Sequence, residues 1–133
     1  MEGKTFGSES RQKRPRRVPR PDRPRRISEA RAFGWIDAQL FREGWLPYLR
    51  LEEIAVYAFL CLAADREGVS FYRVASIERK LGVDHGAILE ARDRLVSFGL
   101  VAFEPYGPGQ LDGYWQVLPV PVCPMAREMN ARG

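Results

Sequence analysis

The chain has little of the chemistry on which catalysis and metal binding depend: one histidine and two cysteines in 133 residues. His85 has no second ligand or base partner near it in sequence, which makes it a surface residue near a helix cap, able at most to hydrogen-bond a base edge. Cys61 falls in an apolar helical pattern and Cys123 in a proline-rich tail. With no CxxC pair and no cysteine framework, neither a zinc site nor a disulfide-held fold is expected, and a reducing cytoplasm is the simplest setting. Glycine-rich phosphate loops, ligand clusters and Ser-His-Asp sets are missing as well. The carboxylate pairs Glu52/Glu53 and Glu90/Asp93 suit helix solvation and dipole complementarity better than acid–base work. The sequence therefore reads as a non-enzyme with no cofactor and no metal. Its longest apolar run, residues 54–64, is far shorter than the roughly 20 residues of a membrane-spanning helix, and the N-terminus lacks the apolar stretch of a signal peptide, so no membrane partner is expected.

What is abundant is arginine, unevenly placed. Residues 1–31 hold 11 basic and 4 acidic side chains, net +7, and residues 32–133 hold 10 and 13, net −3, which together give the formal +4. From residue 11 to residue 26 the chain reads RQKRPRRVPRPDRPRR, where four prolines forbid a regular helix and like charges repel. Residues 1–31 are thus expected to be a disordered arginine-rich arm. Its cations, Arg11, Lys13, Arg14, Arg16, Arg17, Arg20, Arg23, Arg25 and Arg26, form a polycation able to displace counterions from nucleic-acid phosphates, where a solubilising tail is the simpler alternative. A PxxP at residues 21–24 encloses Asp22 and Arg23, which suits a proline-motif ligand poorly.

Order should begin in a lead-in segment, residues 32–44, whose FGWIDAQLF pattern predicts a short strand or turn with Phe33, Trp35, Ile36, Leu40 and Phe41 buried. Residues 51–65 predict a helix with Leu51, Ile54, Ala55, Ala58, Cys61 and Leu62 on its inner face. A short strand over 69–72 and a helix over 74–81 follow. Gly82 stops that helix, Val83 plugs the turn, and Asp84 caps a further helix over 85–98 that Gly99 closes. Residues 100–105 and 114–120 predict a hairpin joined by the loop YGPGQLDG. The tail, residues 121–133, is broken by prolines and is expected to fray or to pack against a partner.

The run SIERKLGVDHGAILEARDRLVSFGLV, residues 76–101, resembles the winged helix-turn-helix family as found in bacterial regulators and in plasmid or phage replication proteins. Leu81, Gly82 and Val83 look like the family's first-helix ending and turn, and Ile88, Ala91 and Leu95 like the core positions of its recognition helix. Phe98 to Val101 look like its exit into the wing. The likeness extends over residues 45–120 and departs at Glu78, where the family favours a small residue, and at Arg92, where it favours leucine. It implies an α+β winged helix-turn-helix domain, mainly helical with a β-hairpin wing.

The resemblance also implies a small DNA-binding protein of a chromosome or mobile element, a transcription regulator or replication accessory, with double-stranded DNA as partner. The arm would supply affinity and helix 85–98 modest specificity. Recognition would fall to Asp84, His85, Gly86, Ala87, Leu89 and Glu90, among which no cation occurs, and the wing has none either. The remaining candidates for phosphate contact are Arg73, Arg79, Lys80, Arg92 and Arg94, each of which a solvated or salt-bridged surface position explains equally well. The alternative is a protein-interaction module that docks a partner on an acidic, partly apolar face where Ala87 and Leu89 lie exposed. A homodimer is compatible with either reading.

Overall fold

The computed structural model describes residues 16–23, 25 and 34–124. The chain divides into two units, residues 1–31 and 32–133. In the first, Arg16, Arg17, Arg20, Arg23 and Arg25 are exposed and lie outside any helix or strand. Arg20 closes a local ion pair with Asp22 at 3.0 Å, both side chains more than half exposed, which is worth little in water. Arg11, Lys13, Arg14 and Arg26 fall outside the described residues.

The second unit is α+β. A short helix α1 (Gln39–Arg42) and a 3-10 turn (Leu46–Tyr48) lead into α2 (Leu51–Ala63); β1 (Val69–Ser70) precedes α3 (Val74–Leu81) and α4 (His85–Ser97), and β2 (Val101–Pro105) and β3 (Gly113–Val117) complete the unit. The strands form one antiparallel sheet in the order β1-β3-β2. Val101 faces Val117 and Phe103 faces Trp115 across the hairpin, and Ser70 faces Trp115 from the other side. This order of elements is compatible with the winged arrangement the sequence implied.

Ile88, Ala91 and Leu95 recur at three- and four-residue spacing and are all buried, which fixes the inner face of α4 as expected. They join Val56, Leu60, Ile77, Leu100 and Trp115 in one core. Fully burying each large aliphatic side chain contributes about 1.5–3 kcal/mol. Both buried indoles find acceptors: Trp45 Nε1 donates to Pro121 O at 2.8 Å and Trp115 Nε1 to Tyr72 O at 3.1 Å. Buried Trp needs such partners, so these bonds tie the tail and the end of β1 into the fold.

Three expectations require correction. The lead-in forms α1 instead of a strand and buries only Leu40, with Trp35, Ile36 and Phe41 exposed and Phe33 outside the described residues. Helix α2 is rotated from the expected phase: Glu53, Val56, Tyr57, Leu60 and Cys61 are buried, and Leu51 and Leu62 are 81% and 67% exposed. A helix apolar almost all round carries little phase in its pattern, and the packed face includes Glu53, which meets Arg94. Of the tail, residues 121–124 pack instead of fraying, with Cys123 fully buried in the core of its own domain, and residues 125–133 lie outside the described residues.

Candidate nucleic-acid interface

Helices α3 and α4 pack together across a tight turn. Gly82 adopts φ +68°, ψ 27° and its N–H donates to Glu78 O at 2.8 Å, a left-handed ending that other residues adopt only at a cost. Val83 packs on the core, and Asp84 Oδ2 accepts the Ala87 N–H at 3.3 Å, capping α4 as its sequence position predicts. Glu78 Oε1 lies 3.9 Å from His85 Nδ1, so the lone histidine faces a carboxylate across the turn.

The loop between β2 and β3 braces this helix pair. Asp112 Oδ1 accepts the Val74 N–H at 2.8 Å, so a residue 38 positions away caps the start of α3, where the N-cap residue Arg73 makes no side-chain cap bond. Arg73 is left exposed at that corner.

The five candidate phosphate-contacting cations separate into two groups. Arg73, Arg79 and Lys80 are exposed on α3, and Arg79 Nη2 makes one long bond to Ser76 Oγ at 3.4 Å. Arg92 and Arg94 are engaged within the domain. The Arg92 side chain is 17% exposed; it reaches Asp93 Oδ1 at 3.2 Å and Leu111 O at 3.4 Å and lies 4.6 Å over the Phe103 ring. Arg94 Nε donates to the buried carboxylate of Glu53, its Nη2 to Tyr48 O at 3.3 Å, and its guanidinium stacks 5.1 Å from Phe98. Both arginines fasten α4 to its neighbours through geometry that a lysine would not reproduce, the salt-bridged alternative that the sequence left open for each cation.

At the start of α4, Asp84, His85, Gly86 and Glu90 are exposed. Leu89 packs against the core and Ala87 is half-buried, so the exposed side of this turn is acidic without the apolar component expected from sequence. Sequence reasoning also missed the roles of Glu53 and Asp112, whose partners lie 41 and 38 residues away.

A cavity of about 580 Å³ opens beside α2 and the end of β3, lined by residues that include Trp35, Asp37, Tyr57, Cys61 and Arg66. Burial pushes the Cys61 thiol up to about 11 and the Tyr57 hydroxyl up as well, so both keep their protons at neutral pH. Thiol nucleophilicity requires the thiolate, which this site suppresses. Among the described residues no cluster of histidine, cysteine or carboxylate side chains could hold a metal ion, and no helix is long and apolar enough to cross a membrane.

No protein-family model and no curated protein matches the chain. A solved structure of the N-terminal domain of a DNA binding protein is similar to it, with a TM-score of 0.50 over 83% of this chain and 95% of that one, at 14% identity. At that identity the likeness concerns the fold alone.

Proposed function

We propose that the chain is a DNA-binding protein built on a winged helix-turn-helix domain, in which an arginine-rich arm supplies affinity and the hook supplies orientation and modest specificity. The observation that carries this reading is the placement of the free cations. In a helix-turn-helix the first helix crosses the sugar-phosphate backbone and the second enters the major groove by its N-terminal residues. Here the exposed cations of the hook, Arg73, Arg79 and Lys80, all lie in the first helix, α3, or at the residue just before it. The acidic start of α4 fits base reading rather than phosphate binding: carboxylates accept a hydrogen bond from the cytosine amino group, and His85 reaches either a donor or an acceptor edge. The likeness to the N-terminal domain of a DNA binding protein agrees with this assignment. A role in transcription control or in replication of a mobile element belongs to the same proposal.

Removing residues 1–31 tests it. Duplex affinity, followed by fluorescence anisotropy, should fall on the order of a hundredfold or more when the net +7 segment is lost. Unchanged affinity would remove the electrostatic mechanism. A protein partner is a second reading, favoured by the exposed Trp35, Ile36 and Leu62, which are 74%, 47% and 67% accessible. Light scattering showing a dimer that Leu62→Glu dissociates would place the contact there.

A further inference from the structure

Three exposed aromatic rings lie on the side of the sheet away from the core. In β3 the buried Trp115 points inward, so its neighbour Tyr114 points outward, and Phe71, which follows the buried Ser70, continues β1 on that same outward side. Phe71, Tyr106 and Tyr114 are 62%, 43% and 49% exposed. They are not independent surface residues. Tyr106 and Tyr114 meet edge to face with centroids 4.9 Å apart, Phe71 and Tyr114 do the same at 6.3 Å, and the Tyr106 hydroxyl donates to Phe71 O at 3.1 Å. Single exposed aromatics are ordinary, but a locked group of three is a pre-ordered surface that costs little side-chain entropy to use.

The surroundings decide what such a surface would hold. The loop that carries Tyr106 has Glu104 and Asp112 and no cation between residues 104 and 113, so it offers duplex phosphates no charged contact. An unpaired base offers a ring face and needs no cation to stack. Glu104 lies opposite Tyr114 across the hairpin, Arg73, exposed two residues beyond Phe71, is the nearest cation in sequence, and the net +7 arm makes a polyanion the complementary partner of the chain. We infer that Phe71, Tyr106 and Tyr114 form a stacking platform for unpaired bases, so that the protein holds single-stranded DNA, at an opened region or a frayed end, as well as duplex. The inference rests on the DNA-binding reading above and adds to it a class of substrate.

The test uses the full chain with labelled oligothymidylate and a duplex of equal phosphate count, measured by anisotropy at about 200 mM salt, where the contribution of the arm is reduced. The variant F71L/Y114L keeps apolar bulk on the sheet and removes two ring faces. It should lose about tenfold in oligothymidylate affinity for each ring, the scale of one base–aromatic stack, with duplex affinity within about twofold of the parent. Tyr114→Phe keeps the ring and should bind oligothymidylate as the parent does. Unchanged oligothymidylate affinity in F71L/Y114L, or an equal loss on both DNAs, overturns the inference. A parent protein that binds duplex but not oligothymidylate overturns it alone, and one that binds neither overturns the DNA-binding reading too. Altered self-association with single-strand affinity intact would assign the rings to a second copy of the chain, and so also contradicts it.

Discussion

The Arg94 guanidinium donates to the Glu53 carboxylate across 41 residues of sequence, and the carboxylate is 2% exposed. Glu53 Oε1 also accepts the Arg50 N–H at 2.9 Å, so one buried side chain both closes the first turn of α2 and clamps α2 to α4. Removing Arg94 leaves the buried Glu53 charge uncompensated and costs about 3–5 kcal/mol, whereas removing Glu53 leaves an arginine that is 35% exposed and can turn to water, and replacing both partners by apolar residues is often neutral. Arg94→Leu should lower the urea midpoint strongly and Glu53→Leu less, and the double variant should recover much of the Arg94→Leu loss. Additive losses would show that the pair is not coupled.

The Asp112 cap on α3 gives a smaller and more local effect. Asp112→Ala leaves the Val74 N–H unsatisfied and should cost about 0.5–2 kcal/mol, the range for losing a helix cap. Hydrogen exchange should quicken in the first turn of α3 more than in α4. Asp112→Asn keeps the acceptor and should restore protection.

Two glycines should differ in tolerance for different reasons. A Cβ on Gly82 would have no atom within 4 Å, so Gly82→Ala faces only the left-handed backbone at φ +68° and should cost about 1–2 kcal/mol. A Cβ on Gly113 would sit 2.1 Å from Glu104 O and 2.7 Å from Pro105 Cα, both backbone atoms of the paired strand. Gly113→Ala should therefore cost about 3 kcal/mol or more and separate the hairpin, as thermal unfolding of the two variants side by side would show.

How far the sequence revealed the fold depended on how local the deciding contact was. The hook was legible because Gly82, Asp84 and the spacing of Ile88, Ala91 and Leu95 act within one turn or one helix face. The phase of α2 was not, since the face it buries carries Glu53, whose partner Arg94 comes from another helix, and Leu51 and Leu62 lie on the exposed side. The same distance hid the structural roles of Arg92 and Arg94, which in sequence look like any other cation on an amphipathic helix. Tail packing was equally hidden, because Trp45 meets Pro121 across 76 residues.

The buried thiol and phenol predict an alkaline limit. Both groups have raised values in the folded protein, Cys61 from 9.0 to about 11, so the folded state holds their protons more tightly than the unfolded chain does. That contribution is complete below the ordinary thiol value and is lost as pH rises through the folded one. The urea midpoint should fall between about pH 9 and about pH 11, and fall less in Cys61→Ala, where one of the two titrating groups is gone. An equal decline in both proteins would contradict the assignment to Cys61.

The most direct measurement of the central claim, that phosphate contacts through arm and α3 carry the affinity, is the salt dependence of duplex binding. If about six arginines neutralise phosphates, the plot of log affinity against log salt has a slope near −5, and removing the exposed charges of Arg73, Arg79 and Lys80 makes it shallower by up to about three. A slope near zero, or one that these substitutions leave unmoved, would contradict the account.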